Sequence, residues 1–250
     1  MKIEIWSDVV CPWCYIGKRR LESALSEFEH AESVQIVWRS FELDPYAPGE
    51  SGQQPVDEML AGKYGVSLER AREMNAQVTE LAEAEGVEFR LDVAKRANTF
   101  DAHRLIHLAA ENGLQQQAKE RLLAAYFSEG KPIGERETLT ELAAEIGIDR
   151  ERAAAALAGD EFADEVRADE RRAQELGANG VPFFVFDQRY GISGAQSPDV
   201  FLQVLERTWS ETRPLTILGN DAGSNETDPG RSDGEGYCDD GGCEVVDSKA

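Results

Sequence analysis

Near the N-terminus the apolar positions change period twice. Lys2 to Ser7 alternates, with Ile3 and Ile5 set against Lys2 and Glu4, which is the pattern of a strand. From Cys14 to about Glu29, Leu21, Ala24, Leu25 and Phe28 recur at the i, i+3, i+4, i+7 spacing of a helix with one buried face. Val34 to Phe41 alternates again and is rich in β-branched and aromatic residues, so it reads as a second strand. Strand, helix, strand predicts a βαβ unit with parallel strands and a right-handed crossover. From about Pro55 to Leu176 Ala, Glu, Leu, Arg and Gln dominate, interrupted near Gly86, Gly113, Gly130, Gly147 and Gly159. That run predicts five to seven helices and almost no strand. Val181 to Phe186 then reads as a short buried strand. A turn at Asp187-Gln188 and a further strand over Tyr190 to Ser193 follow. Ser197-Pro198 supplies a helix cap and a favoured first helical residue, and Val200, Phe201, Val204, Leu205 and Trp209 form the apolar face of a last helix. The fold class is α/β: a βαβ part (1–54) and a ββα part (177–218) of one domain, separated by an all-helical insertion (55–176).

Composition adds a tail and a habitat. Residues 219–250 are rich in Gly and acids and poor in large apolar side chains, as expected of a flexible acidic tail. The 250-residue chain is 41% hydrophobic, enough for a core, and no run approaches the ~18 apolar residues of a membrane span. Its 26 basic residues against 48 acidic ones leave a formal charge of −22, which repels nucleic acid and anionic lipid and excludes both as partners. So many carboxylates with only 7 lysines suit a halophilic surface that stays hydrated in high salt. The start Met1-Lys2-Ile3-Glu4 lacks the uninterrupted apolar run of a secretory leader, so a cytoplasmic protein is expected.

The chemistry sits in the cysteines, which form two close pairs, Cys11/Cys14 and Cys238/Cys243. Close pairs in a cytosolic chain point to redox or metal chemistry rather than to structural staples. Cys11-Pro12-Trp13-Cys14 falls where the first strand ends and the helix begins. A helix start carries unpaired N–H groups and partial positive charge, which stabilise a thiolate. Cys11 is therefore expected to be an exposed nucleophile of low pKa, with Cys14 one turn on as the resolving thiol. Pro12 loses only an N–H that has no partner there. Trp13 offers a half-exposed apolar platform, whereas Trp6, Phe183 and Phe184 are core residues. A proline at Val181-Pro182 does not suit a central strand. If that bond is cis, its backbone faces the thiols and can pair with an extended substrate.

These stretches, CPWCYIG after a strand and GVPFFVFDQRYGISGAQ before the last helix, together with NTFDAHRLIHLA, resemble the DsbA-like thioredoxin superfamily, in particular its FrnE-like branch. The resemblance covers roughly residues 1–213. It implies a thioredoxin fold carrying a helical insertion and thiol–disulfide oxidoreductase activity on protein or small-molecule thiols and disulfides, with glutathione among the candidate partners. It implies catalytic roles for Cys11, Cys14 and a cis Pro182. It also places Asn98 and His103 near the mouth of the site, where with Pro12, Trp13 and Val181 they are candidate substrate contacts. The electrons reside on sulfur, so no organic cofactor and no metal are called for.

Alternatives follow from the same residues. Relatives resembling 2-hydroxychromene-2-carboxylate isomerase and the kappa-type glutathione transferases share the architecture, but they carry serine at the position of Cys11. A zinc-held binding module needs four ligands, which Cys238 and Cys243 would complete. The tail pair is also placed to exchange with Cys11–Cys14 as a redox relay, slowed by the acids around it. His103 and His107 stand at i, i+4, but no HExxH arrangement accompanies them.

Overall fold

The structure, a computed structural model, describes residues 1–47 and 55–211. The alternating N-terminal segment forms β1 (Lys2–Ser7), and the helical period that follows forms α1 (Pro12–Glu27). A 3-10 turn at Ala31–Ser33 leads into β2 (Gln35–Ser40). The two strands run parallel with Ile3 opposite Ile36 and Ile5 opposite Trp38, so the expected βαβ unit is present. The insertion consists of α2 (Val56–Tyr64), α3 (Leu68–Ala84), α4 (Phe100–Glu111), α5 (Gln115–Phe127), α6 (Arg136–Glu145), α7 (Arg150–Ala158) and α8 (Ala163–Glu175), with no strand among its described residues. The chain then makes β3 (Phe183–Phe186), β4 (Tyr190–Ser193) and α9 (Pro198–Glu211). β3 begins two residues later than the apolar run suggests. Val181 and Pro182 are joined by a cis peptide, and Pro182 has no N–H to give a ladder.

Strand order in the sheet is β2-β1-β3-β4, with β3 antiparallel to both its neighbours. The two-residue period assigns each face a separate core. On one, Ile3, Ile5, Phe184 and Phe186 pack with Leu21 of α1 and Phe201 and Leu205 of α9, and the Phe184 and Phe201 rings meet edge to face at 4.7 Å. On the other, Trp6 and Val185 pack against Ala173 of α8 and Ala178, and the Trp6 indole N–H donates to the Asp169 carbonyl at 2.8 Å. The tight turn after β3 holds Asp187 and Gln188 at φ 45° and 56°. The Asp187 side chain stabilises this by accepting the Lys2 N–H at 2.6 Å.

The insertion is stitched to the sheet by polar contacts that apolar periodicity does not announce. Gln115, the first residue of α5, accepts the Trp38 N–H and donates to the Trp38 carbonyl, both at 3.0 Å, so a side chain covers the free edge of β2. Arg104 of α4 is 3% exposed; its guanidinium donates to the Asp101 carboxylate at 2.7 Å and to the carbonyls of Ala156, Leu157, Gly159 and Glu161, tying α4 to the end of α7. Residues Met1–Arg213 make up one compact unit. The expected tail, 219–250, lies outside the described residues.

Candidate active site

β1 stops at Ser7, and Asp8-Val9-Val10 carry the chain into α1. Cys11 occupies the cap position of that helix, with φ −93° and ψ 114°, and Pro12 is the first helical residue. The Cys14 N–H bonds to the Cys11 carbonyl at 3.0 Å, closing the first turn and setting the two side chains side by side. Opposite them, the Cys11 thiol donates to the Val181 carbonyl at 3.5 Å. Gly17 explains how Pro182 comes so close. A Cβ there would lie 3.1 Å from Pro182 Cγ and 3.2 Å from Phe184 Cζ, tighter than ordinary contact, so a bare Cα eases the approach of α1 to this loop.

The expectation that Cys11 is exposed does not hold. Cys11 is 3% and Cys14 1% exposed, because the Val181 segment and the insertion close over the helix start. Cys11 nonetheless lines a cavity of about 800 Å³, together with Pro12, Trp13 and Val181, and Trp13 keeps 43% exposure. Cys14 is not on the cavity wall.

Two buried charges stand behind the sulfurs. Asp8 is fully buried, which alone would favour its neutral form. Its carboxylate instead accepts from Nε2 of His103 at 3.3 Å, from the Val9 N–H at 2.7 Å and from the Leu43 N–H at 2.8 Å. These donors hold Asp8 below the usual carboxylate value and keep it ionised. Lys119 of α5 is 1% exposed, with its ammonium 3.4 Å from the Ser7 carbonyl and 5.3 Å from the centre of the Trp38 ring. Burial pushes Lys119 down to about 8, and the opposite charges of Cys14 and Asp8 resist that shift.

The thiols titrate as a pair. The neighbouring Cys14 sulfur, followed by burial, drives Cys11 well above the ordinary thiol value. Burial opposes ionisation of Cys14 too, but the Cys11 side chain and the Lys119 charge outweigh it and leave Cys14 below that value. Of the two sulfurs, Cys14 is therefore the one whose ionisation the surroundings favour, whereas the helix-start argument alone points to Cys11.

Asn98 and His103 are placed away from the cavity wall. Asn98 donates to the carbonyls of Pro45 and Ala47 at 3.3 and 3.2 Å and accepts the Phe100 N–H at 3.0 Å, bracketing a loop against the start of α4. His103 is 1% exposed and faces Asp8 from behind. His107 meets Ser40 Oγ and Asp169 Oδ2, each at 3.1 Å, but both contacts fall on the same ring nitrogen, so the trio cannot relay a proton as a serine triad does. Among the described residues no group of three or more His, Cys, Asp or Glu could hold a metal ion, and Cys238 and Cys243 lie outside those residues. Sequence reasoning missed Asp8 and Lys119. Lys119 did leave a signal, since Leu122, Leu123 and Tyr126 follow it at i+3, i+4 and i+7, a charge set on an apolar stripe.

The DSBA-like thioredoxin domain model matches residues 2–206, and the chain belongs to that family. A crystal structure of a probable DsbA oxidoreductase from Streptomyces coelicolor is 45% identical, with a TM-score of 0.82 over 88% of this chain and 94% of that one. YwbO of Bacillus subtilis, an uncharacterised protein, is 29% identical over 80% of this chain and 92% of its own length. The cytosolic disulfide reductase DsbM of Pseudomonas aeruginosa, determined with GSH, shares the fold at 23% identity and a TM-score of 0.58, over 84% of this chain and all of that one.

Proposed function

We propose that the protein is a thiol–disulfide oxidoreductase whose working pair is Cys11 and Cys14. The observation that carries this reading is the division of labour between the two sulfurs: Cys11 lines the cavity, while Cys14, one turn on, is buried and off the cavity wall. For attack, the proton on Cys11 passes to the adjacent Cys14, leaving Cys11 as the thiolate that faces the substrate. Cys11 then displaces one half of a substrate disulfide as a thiolate and forms a mixed disulfide with the other half. Cys14, its proton surrendered again, attacks Cys11 Sγ and expels that second half. Two electrons leave the protein dithiol, the substrate disulfide gains them, and two protons end on the released thiols. The Val181 carbonyl and Pro182 border the path of the incoming disulfide, and Trp13 offers its apolar face.

A low-molecular-weight thiol such as glutathione is a suitable reductant for the next cycle, in keeping with the GSH present in the DsbM structure. A cytoplasmic setting is proposed on the likeness to the cytosolic reductase DsbM. The tail dithiol Cys238/Cys243 is proposed as a second pair that exchanges with the first.

Reduction of a small disulfide, 2-hydroxyethyl disulfide, by the full chain with glutathione as reductant tests the reading. Cys11→Ser is expected to abolish turnover, and full activity in that variant would end the oxidoreductase assignment. Cys238→Ser/Cys243→Ser is expected to slow turnover several-fold, and wild-type rates there would remove the relay alone.

A further inference from the structure

The cavity beside Cys11 is far larger and more apolar than a sulfur exchange requires. Met59 and Leu60 of α2 and Met74, Val78 and Leu81 of α3 line its apolar wall, while Cys11, Pro12 and Trp13 form the end at the thiols. Its volume, about 800 Å³, falls within the ~300–1,000 Å³ typical of small-ligand sites. A second observation agrees. Among the described residues five large apolar side chains are exposed, and three of them, Trp13, Tyr64 and Leu81, line this one cavity. On a chain of net charge −22, exposed apolar surface is gathered where it can be covered by a ligand.

We infer that the substrate is a low-molecular-weight disulfide with an apolar arm, taken up whole in this cavity with its sulfurs at Cys11. The inference rests on the disulfide-exchange reading above and deepens it. A disulfide in a folded protein continues into backbone on both sides and lies on a broad surface. Here Cys11 is only 3% exposed, and the Val181 carbonyl stands 3.5 Å from its sulfur. A slender molecule reaches that sulfur, and its free arm occupies the apolar wall. The charged groups Glu58, Lys63 and the Asp44–Arg96 ion pair (2.5 Å) are also on the lining, available to a polar half of the same molecule.

With a disulfide R–S–S–R′ whose R is the apolar arm, Cys11 as thiolate bonds to the R sulfur and R′–S⁻ leaves. Cys14 as thiolate then bonds to Cys11 Sγ and R–S⁻ leaves. The protein dithiol is oxidised by two electrons and the disulfide is reduced by two; of the two protons that end on RSH and R′SH, one comes from the monothiolate pair and one from solvent. One turnover of the pre-reduced chain needs no other reductant.

The test uses the full-length chain, pre-reduced, in single turnover with mixed disulfides of glutathione and methanethiol, butanethiol or hexanethiol. Released thiols are read by acid quench and chromatography, and rates are normalised to those with free dithiothreitol. Burial of each added methylene is worth about fourfold at most, so the hexyl probe is expected to react at least ~10-fold faster than the methyl probe. Leu81→Arg and Tyr64→Ser, both at exposed positions that tolerate substitution, are expected to bring the hexyl-to-methyl ratio close to one. A flat profile across the three probes on a reacting protein overturns the inference and leaves the oxidoreductase reading standing. No reaction with any probe by a folded, reduced chain overturns both.

Discussion

Lys119→Met separates the cost of the site from its use. The wild-type lysine must be buried as an ammonium below its folded pKa of about 8, against an ordinary value of 10.5. The difference of ~2.5 units, at about 1.4 kcal/mol each, sets the burden on the fold at about 3 kcal/mol. Methionine fills a similar volume with no charge to desolvate, so the variant is expected to be more stable than wild type at pH 7 by up to that amount. The pH dependence has a definite sign. Between about 8 and 10.5 the unfolded lysine still holds a proton that the folded one has lost, so wild-type stability rises with pH across that window on account of this group. The stability difference between the two proteins should accordingly shrink from pH 8 upward and vanish above 10.5.

The same substitution strips the dithiol of its adjacent positive charge. An opposite charge at close range typically lowers a pKa by about 1–3 units, so the first thiol titration of the variant should move up by about one unit or more. Equilibrium urea unfolding at pH 7 and pH 10.5 reads the first effect, and the pH profile of iodoacetamide alkylation of the reduced chain reads the second. A variant less stable than wild type at pH 7, or an alkylation midpoint that stays where it was, would refute the electrostatic account of the site.

Asp8→Asn should lower the pH at which Cys11 itself is alkylated, because the Asp8 charge opposes ionisation of that thiol. The new amide cannot accept from all three of the groups that Asp8 satisfies, and one orphaned buried donor should lower stability by about 1–3 kcal/mol in urea. Gly17→Ala and Gly62→Ala make a matched pair of helical substitutions, each with a propensity gain of up to ~1 kcal/mol. At Gly62 a Cβ meets nothing within 4 Å, so that variant should gain stability, whereas Gly17→Ala drives a methyl towards Pro182 and Phe184 and should be the less stable of the two by about 1–3 kcal/mol. Equal urea midpoints for the two variants would show that α1 does not depend on close approach to Pro182.

What the sequence made legible is what one segment decides by its own period. The alternation of Ile3 and Ile5, the spacing of Leu21 to Phe28, and the proline-bounded run at Phe183 to Phe186 each specify an element and its buried face without reference to the rest of the chain. The position of Cys11 at a helix start is of the same kind, because strand end and Pro12 are its immediate neighbours. Its burial is not, because it depends on Val181, a residue 170 positions away, and on the insertion folding over the junction. Asn98 and His103 show the converse. Their polar side chains suit a binding site, but they meet local backbone and a buried carboxylate, pairings that no local pattern encodes.

The charges behind the dithiol bear on why the insertion exists at all. Asp8 comes from the loop after β1, within the sheet part of the fold, but Lys119 lies on α5 and His103 on α4, both in the inserted block. A sheet domain with its own βαβ and ββα halves could present two cysteines at a helix start unaided, yet it would leave Asp8 facing no imidazole and Cys14 facing no ammonium. A buried carboxylate and a buried thiolate without those partners would each be driven towards the neutral form. The cavity wall follows the same division, since Met59, Leu60, Met74, Val78 and Leu81 all belong to α2 and α3. The helices between β2 and β3 therefore bring both the charges that tune the sulfurs and the surface that receives what reacts with them, while the sheet contributes the position of the sulfurs themselves.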